Sequence, residues 1–271
     1  MQIAFTGDVH LRSQKDTPER YHALRYILNY CRDHHIPCLI IAGDLFDSEL
    51  PVYTDFDHLL ASYPEIQCIV IPGNHDAAIT QKHFSADNLK VLSEPVLLSV
   101  EDQPFFFIPY LPEKSMGEVL ADNQSQLQKG WMLVGHGDFL ERSHKENPYE
   151  PGTYMPLTRR DVEYYHPQKV ILGHIHQYYS SQDVYYTGSP MGLNIHETGK
   201  RRFLLMDLGS SEVRSEYVQT DYVFLNETIL AMPDEYELEY IRRQIREIWK
   251  KWGISPENEH IVLRLIVKGI T

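Results

Sequence analysis

The stretch at residues 38–47, CLIIAGDLFD, decides the fold, because an apolar run ends at a glycine that is followed by two aspartates. Short apolar runs bounded by turn residues are typical of buried strands. The same pattern recurs at residues 2–10, QIAFTGDVH, and at residues 67–76, QCIVIPGNHD. Later apolar runs of this kind lie at residues 105–109, 132–135 and 170–173. The sequence therefore predicts buried strands at residues 2–6, 38–42, 67–71, 105–109, 132–135 and 170–173, several of which are followed directly by polar residues.

Helical segments separate the first strands. Residues 18–34 carry apolar side chains at one-face spacing, namely Tyr21, Leu24, Ile27, Leu28 and Cys31. Residues 54–62 form a second candidate helix. Alternation of strands and helices is typical of βαβ units, which place functional groups on loops at the carboxyl ends of the strands. The apolar faces of both helices fit burial within the monomer and a homodimer interface equally well.

The second half of the chain is richer in strands. Residues 184–187, 201–207 and 213–218 alternate and predict three antiparallel strands separated by glycine-containing turns. A sheet facing a sheet with helices outside follows, so the predicted fold class is α/β, a two-sheet sandwich flanked by helices. Residues 140–157, rich in Pro, Glu and Tyr, form one long irregular stretch.

The character of the chain changes near Tyr222. Pro233 and Asp234 predict a helix start, residues 238–252 carry an apolar stripe ending near Gly253, and residues 260–267 predict a strand. Basic residues lie off that stripe: Arg242, Arg243, Arg246, Lys250 and Lys251. This basic face fits either a solvated helix surface with Glu239 and Glu247 as partners or a nucleic-acid contact. We therefore expect one domain at residues 1–220 and a small α+β segment at residues 221–271.

Composition and charge restrict the class of protein. The 271 residues are 42% hydrophobic and 23% charged, which excludes a disordered, collagen-like or membrane-spanning chain. With 25 Lys and Arg against 38 Asp and Glu, the net charge of -13 argues against a protein that coats nucleic acid through a basic surface. A polyanionic substrate therefore requires a locally positive region on this acidic protein.

The start, MQIAFTGDVH, lacks the basic and apolar regions of a signal peptide and predicts a cytoplasmic location. The three cysteines, Cys31, Cys38 and Cys68, lack metal-site spacing and predict buried free thiols.

Carboxylate, imidazole and amide groups follow the predicted strands in short motifs. These motifs are Asp8-Val9-His10, Gly43-Asp44-Leu45-Phe46-Asp47, Gly73-Asn74-His75-Asp76, Gly135-His136-Gly137 and Gly173-His174-Ile175-His176. Oxygen and nitrogen donors without thiolate suit manganese, iron or zinc and do not favour a closed structural zinc site. Seven donors exceed one tetrahedral site and suit two ions about 3.5–4 Å apart, which clamp a phosphoryl group and activate a bridging water. Each motif alone also fits a loop histidine or a turn residue, whereas the ordered set does not.

The ordered set resembles the calcineurin-like metallophosphoesterases, whose signature is D-x-H, G-D-x-x-D, G-N-H-D or E, G-H and G-H-x-H. The resemblance spans about residues 1–210. Within it, GDLFD, YTGSP at residues 186–190 and the strand at residues 200–203 resemble the SbcD-type DNA repair exonucleases. This resemblance implies a metal-dependent phosphodiesterase that acts on DNA ends as an exonuclease and on single strands as an endonuclease.

The resemblance also implies a role for each motif residue. Asp8, His10 and His176 would hold one metal, Asn74, His136 and His174 would hold the other, and Asp44 would bridge them. The two divalent ions would be manganese, with iron or zinc as alternatives, and a hydroxide between them would be the nucleophile. His75 would stabilise the pentacovalent phosphate or protonate the leaving oxygen, with Asp76 orienting it.

Asp47 marks a departure from some members of the family, and Asp138 has two open alternatives. Asp47 stands where archaeal and eukaryotic relatives carry a histidine tied to exonuclease geometry, so we expect it to contact a ligand residue instead of acting in catalysis. Asp138 fits either support of a ligand residue or a turn. The tail at residues 222–271 resembles the start of the family's capping domain, and we expect a truncated or minimal cap. The expected partners are DNA and a coiled-coil ATPase of the SbcC type, with no membrane.

Two alternatives to a DNA-hydrolysing enzyme stay open. A phosphomonoesterase or cyclic-nucleotide phosphodiesterase would use the same metal core, because that core does not separate diesters from monoesters. A binding or scaffold protein would keep the fold and lose the chemistry.

Overall fold

The computed structural model describes residues 1–47, 52–141, 152–231, 236–253 and 260–269. The predicted helix start at Pro233 and Asp234 and most of the predicted irregular stretch, residues 142–151, lie outside the described residues. None of the helices in the described ranges is both long and apolar enough to cross a bilayer.

The elements alternate along the chain as the sequence predicts. The strands are β1 (Gln2–Thr6), β2 (Cys38–Ala42), β3 (Gln67–Ile71), β4 (Leu89–Val91), β5 (Val96–Val100), β6 (Gln103–Ile108), β7 (Met132–His136), β8 (Phe139–Leu140), β9 (Leu157–Thr158), β10 (Val170–Gly173), β11 (Tyr179–Ser181), β12 (Val184–Tyr186), β13 (Arg202–Asp207), β14 (Glu212–Tyr217), β15 (Val223–Ala231) and β16 (Ile261–Gly269). The helices are α1 (Pro18–Asp33), α2 (Tyr53–Leu60), α3 (Met116–Asp122), α4 (Arg159–Tyr165) and α5 (Glu237–Trp252).

Two six-stranded sheets pack face to face and form the core. The first has the order β14-β13-β1-β2-β3-β4 and the second the order β11-β12-β10-β7-β6-β5. Phe5 and Ile40 of the first sheet and Phe107 of the second belong to one buried cluster between the sheets. Because each such side chain contributes about 1.5–3 kcal/mol on burial, this layer holds the sandwich together. The predicted two-sheet α/β sandwich is confirmed.

Helices cover the outer face of each sheet. The predicted apolar stripe of α1 is buried on the first sheet beside Phe56, Leu59 and Leu60 of α2. The apolar faces of α1 and α2 are thus accounted for within the monomer. Helices α3 and α4 lie on the second sheet. Both begin with a reciprocal capping box, Ser115 with Glu118 and Thr158 with Asp161.

The prediction of three mutually antiparallel strands after residue 184 is wrong in one respect. Strands β13 and β14 form the predicted antiparallel pair in the first sheet. Strand β12 instead lies in the second sheet, parallel to β10 and antiparallel to β11. The segment between β12 and β13 passes from one sheet to the other, and alternation of side chains along a strand does not reveal its pairing partner.

Strands β15 and β16 form a separate parallel pair with α5 as the crossover. Leu225, Ile229 and Ile248 are the buried centre where this pair meets the helix. The basic side chains of α5 are exposed, and Lys250 pairs with Glu247 at 3.3 Å. The ladder begins at Val223, close to the predicted boundary at residue 220, and division into two domains stays a prediction.

Candidate metal centre

The parallel strands β1, β2, β3, β7 and β10 deliver their polar motifs to one edge of the sandwich. Asp8 donates its backbone N–H to Gly43, and His10 donates to Asp44, so the first two loops run side by side. The residues brought together are Asp8, His10, Asp44, Asn74, His75, His136, His174 and His176. Carboxyl ends of parallel strands meet at one sheet edge, which explains this convergence.

Several of these residues adopt backbone conformations that are uncommon for non-glycine residues. The φ angles are 51° at Asp8, 52° at His10, 50° at Asp44 and 96° at His174. Positive φ costs of order 1–3 kcal/mol per residue and persists where the surroundings enforce it, typically at functional sites. The strain turns each side chain out of the strand direction and toward the common centre.

Two glycines allow the loops to approach closely. A Cβ at Gly43 would lie 2.1 Å from His136 Nδ1, and a Cβ at Gly73 would lie 2.1 Å from Asp44 Oδ1. Neither distance is compatible with any side chain. The glycine that precedes Asp44 and the glycine that precedes Asn74 are therefore required by the packing of the site.

Asp8, His10 and His176 form one donor group. One ligand atom from each lies within 4.8 Å of the others. His10 Nε2 and His176 Nε2 are 3.2 Å apart, and Asp8 Oδ1 accepts the backbone N–H of His174 at 2.8 Å. Asp8 Oδ2 is buried and makes no hydrogen bond to any described residue. A buried carboxylate oxygen in that state is costly unless a cation is bound to it.

Asn74, His136 and His174 form a second group around an amide oxygen. Asn74 Oδ1 lies 2.8 Å from His136 Nε2 and 3.1 Å from His174 Nδ1. Two imidazole nitrogens and one amide oxygen thus lie close together, and all three are donor atoms that could bind one cation.

Asp44 lies between the two groups. Its Oδ2 is 3.3 Å from His136 Nε2 and 3.7 Å from His10 Nε2, so it faces one imidazole of each group. Its Oδ1 accepts the backbone N–H of His75 at 2.9 Å, which ties the third loop to the second. The His75 ring lies 4.7 Å from the His10 ring and is therefore in the same cluster. Asp44 therefore lies within 3.7 Å of one imidazole from each group, and its role as a shared ligand stays a prediction.

The second nitrogen of two imidazoles is held by the protein. His136 Nδ1 lies 2.8 Å from the Ala42 carbonyl oxygen, to which only a protonated nitrogen can donate. This hydrogen bond leaves Nε2 to face Asn74 and Asp44. His176 Nδ1 lies 3.0 Å from Glu197 Oε1, and Nε2 faces the cluster. Metal-binding histidines are commonly oriented in this way.

Glu197 is a residue of the site that sequence reasoning missed. Only 4% of it is exposed, and its Oε2 accepts the Leu193 backbone N–H at 3.0 Å. Arg201 lies 3.6 Å from the same carboxylate. Burial alone would raise the pKa of Glu197, but His176, Leu193 and Arg201 lower it below the ordinary value. The sequence offered one usable signal, a glutamate shortly after the YTGSP segment.

Asp47 and Asp76 support the loops from outside the cluster. Asp47 pairs with Arg12 at 3.1 Å and with Arg20 at 3.6 Å, and Arg20 donates to the His10 carbonyl oxygen. Its link to a candidate ligand is therefore indirect. Asp76 accepts the backbone N–H groups of Gly73 at 2.7 Å and Phe46 at 3.0 Å. It joins the loops that carry Asp44 and Asn74, while orientation of His75 by Asp76 stays a prediction.

Asp138 contacts both a loop backbone group and a candidate metal ligand. Its Oδ2 accepts the Tyr154 backbone N–H at 2.7 Å, as a loop residue would. Its Oδ1 lies 3.8 Å from His174 Nε2, so it also faces a candidate ligand.

Burial and mutual attraction shift the pKa values of the clustered aspartates and histidines away from their ordinary values. Burial raises the pKa of Asp8 to about 6, against the attraction of His176 and His136. Burial lowers the pKa of His10 to about 3, although Asp44 opposes this. Burial would also lower the pKa of His136, but Asp44 raises it to about 10. A proton on His136 thus supplies part of the positive charge that the buried carboxylates need.

The donor set fits a pair of divalent cations. The fit rests on the buried Asp8 Oδ2, on the position of Asp44 between two imidazoles and on a set of oxygen and nitrogen donors without thiolate. Such donors suit manganese, iron and zinc alike.

A two-layer sandwich with overlapping Asp–His groups, in which Asp8 and Asp44 each belong to two groups, defines the class of metal-dependent phosphoesterases. The chain belongs to the calcineurin-like phosphoesterases, whose family profile matches residues 1–178. That family uses a dinuclear metal centre, and the Asp and His groups described above are its candidate ligands here.

Two curated relatives resemble the chain at low identity. The metallophosphoesterase YhaO of Bacillus subtilis (strain 168) is 22% identical over 277 residues, covering 91% of this chain and 63% of that protein. The SbcD component of the nuclease SbcCD of Escherichia coli (strain K12) is 23% identical over 256 residues, covering 75% of this chain and 64% of that protein. The chain thus spans less than two thirds of the length of these relatives.

Among solved structures, TT1561 of Thermus thermophilus has the same fold. The TM-score is 0.53 at 12% sequence identity, with 80% of this chain and 98% of that chain covered. At this identity the likeness concerns the fold alone.

Proposed function

We propose that this protein is a two-metal phosphodiesterase that hydrolyses DNA, as an exonuclease and also as an endonuclease on single strands. The observation that carries the proposal is the position of Asp44 between the two donor groups, which is the geometry of a shared ligand. In this proposal Asp8, His10 and His176 hold one ion. Asn74, His136 and His174 hold the other, and Asp44 contacts both.

Two bound divalent ions would supply Lewis acidity at the scissile phosphate and lower the pKa of a water. Residues of the chain itself supply proton transfer and positioning. His75 is fixed by its backbone hydrogen bond to Asp44 and lies against the His10 ring, beside the centre. From there its imidazole protonates the leaving oxygen or stabilises the charge on the phosphate. Asp76 and Arg20 keep the loops in place through backbone contacts.

DNA as the substrate is supported by the similarity to a protein named as part of a nuclease. The two motifs that resemble SbcD-type exonucleases are near the metal centre. GDLFD contains Asp44, which lies in the cluster, and residues 187–189 of YTGSP line the cleft beside His176. The proposal includes manganese as the metal, a role in DNA repair and an SbcC-type coiled-coil ATPase as partner.

An assay of the metal-loaded protein tests this proposal. Purified chain with Mn²⁺, Fe²⁺ or Zn²⁺ is incubated with four substrates: end-labelled linear duplex DNA, single-stranded circular DNA, p-nitrophenyl phosphate and 3′,5′-cyclic nucleotides. We expect cleavage of both DNA substrates, highest with Mn²⁺, and its loss in Asp44→Asn, with Glu163→Gln on the exposed face of α4 as the control.

Hydrolysis of the monoester without any hydrolysis of DNA would overturn the proposal in favour of a phosphomonoesterase. Activity toward 3′,5′-cyclic nucleotides alone would favour a cyclic-nucleotide phosphodiesterase. A folded protein that binds no divalent ion would revive the scaffold alternative, which the intact donor set disfavours.

A further inference from the structure

A cleft beside His176 is lined by three consecutive cationic residues. It is lined by residues 176–178 and 187–189 and by Lys200, Arg201 and Arg202, and it is open to solvent. Because His176 both lines this cleft and belongs to the metal cluster, the cleft adjoins the candidate metal centre. In a chain of net charge -13, this cleft is a locally basic region of the kind that a polyanionic substrate requires, in addition to the exposed basic side chains of α5.

The three cationic side chains of the cleft differ in burial and in contacts. Arg201 is only 5% exposed, donates to the carbonyl oxygens of Ser189 and His176, and lies 3.6 Å from Glu197. Its charge is therefore balanced within the fold. Lys200 and Arg202 also line the cleft and are partly exposed, so solvent reaches both of them. Lys200 Nζ lies 5.8 Å from the centre of the Tyr217 ring.

Arg202 is held in a fixed orientation. Its guanidinium lies 4.1 Å from the Tyr217 ring centre and 5.4 Å from that of Tyr178. It donates to Ser215 Oγ at 2.7 Å and to the Tyr217 hydroxyl at 2.5 Å. These two bonds use two of the five N–H donors of a guanidinium, so within the described residues others stay available. A planar, preorganised guanidinium with free donors is suited to phosphate.

We propose that Lys200 and Arg202 bind a phosphate that does not react, the neighbouring phosphodiester of a polynucleotide whose scissile phosphate lies at the metal centre. This inference rests on the proposed function and deepens it, because it specifies a substrate with at least two phosphates. A monoester or a small diester has one phosphate and gains nothing from the cleft. The cleft therefore selects polynucleotides, while the metal centre acts on the phosphoester bond itself.

Binding without metal tests the cleft separately from catalysis. Fluorescence anisotropy of a labelled single-stranded oligonucleotide in EDTA is compared for wild type, Lys200→Gln, Arg202→Gln and the double variant. We expect each single variant to bind about tenfold more weakly, and the double variant to lose about 1.4 from the slope of log K against log salt. Lys129→Gln, which removes an exposed charge before β7, is the matched control and should leave the affinity unaltered.

A second measurement guards against a folding defect. The ratio of kcat/KM for the oligonucleotide to kcat/KM for bis(p-nitrophenyl) phosphate, both with Mn²⁺, should fall about tenfold in Lys200→Gln, mainly through KM for the oligonucleotide. Equal losses on both substrates, or unaltered anisotropy in the double variant at an unaltered melting temperature, would overturn the subsite. If wild type binds the oligonucleotide through these residues yet never cleaves DNA, the proposed function fails and the phosphate subsite stands.

Discussion

Glu197 Oε1 lies 3.0 Å from His176 Nδ1, and this contact joins a buried carboxylate to the far nitrogen of a candidate metal ligand. The carboxylate is anchored in turn by the Leu193 backbone and by Arg201. Such a chain fixes both the tautomer and the orientation of the imidazole, because the proton on Nδ1 points to the carboxylate and the lone pair of Nε2 to the cluster.

Replacement of this carboxylate should weaken metal binding. Glu197→Ala is expected to lower the affinity for Mn²⁺ 10- to 100-fold, about the effect typical of groups that orient a metal-binding histidine. Glu197→Gln should lose less, because its amide oxygen still accepts from Nδ1. Calorimetric titration measures both, with Glu163→Ala as a surface control of equal charge. Affinities of all three variants within twofold of wild type would show that Glu197 serves only the loop.

His75 should matter for turnover and not for metal content. His75→Ala is expected to lower kcat on DNA by about 10²- to 10⁴-fold, the usual contribution of a positioned acid. Elemental analysis should find the same metal-to-protein ratio as in wild type. His58→Ala, an exposed histidine of α2, is the control. Loss of metal together with activity would instead make His75 a ligand.

Metal uptake should strengthen as pH rises. Asp44 holds the pKa of His136 near 10, so the metal-free protein keeps a proton there at neutral pH, and a ligand nitrogen must lose that proton before it binds a cation. The proton is bound only in the metal-free state, so the apparent affinity should increase between about pH 7 and 10. Titrations in buffers of different ionisation enthalpy would count the released protons. Affinity that falls over this range would contradict the assignment.

The same linkage predicts the stability of the metal-free protein. The pKa of His136 is raised in the folded state, so its contribution is complete below the ordinary value of 6.5 and is lost as pH rises through about 10. Metal should therefore raise the melting temperature most at alkaline pH. Differential scanning calorimetry with and without Mn²⁺ at pH 7 and pH 9 measures this difference, and an equal shift at both values would contradict it.

The three cysteines should react slowly with thiol reagents in the native protein. Burial raises the pKa of Cys31 and of Cys38 to about 12, and that of Cys68 well above its ordinary value. Because the thiolate is the reactive form, a colorimetric thiol reagent at pH 8 should react slowly with native protein and with all three cysteines in guanidinium. Rapid reaction of a native thiol would contradict the packing of α1 on β2 and β3.

Much of the fold follows from local pattern. The strands β1, β2 and β3 have the predicted limits, because five-residue apolar runs that stop at Gly or Pro leave little freedom. Helix α1 begins at Pro18 as predicted, where proline fits the first turn. Strand β12 was misplaced because its pairing depends on which sheet the chain reaches after β10, a matter of contacts distant in sequence.

The sequence by itself determined the kinds of donor, their order and their position after buried strands, since glycine, aspartate and histidine at strand ends are local features. Only the tertiary structure decided that Asp44 lies between two imidazoles, that Glu197 holds His176, and that Lys200 and Arg202 line the adjoining cleft. Contacts within the same cluster join residues as far as 166 positions apart, as His10 and His176 show. Distances across two packed sheets, together with the positive φ angles that aim Asp8 and His174 inward, arise from packing and leave no trace in local periodicity.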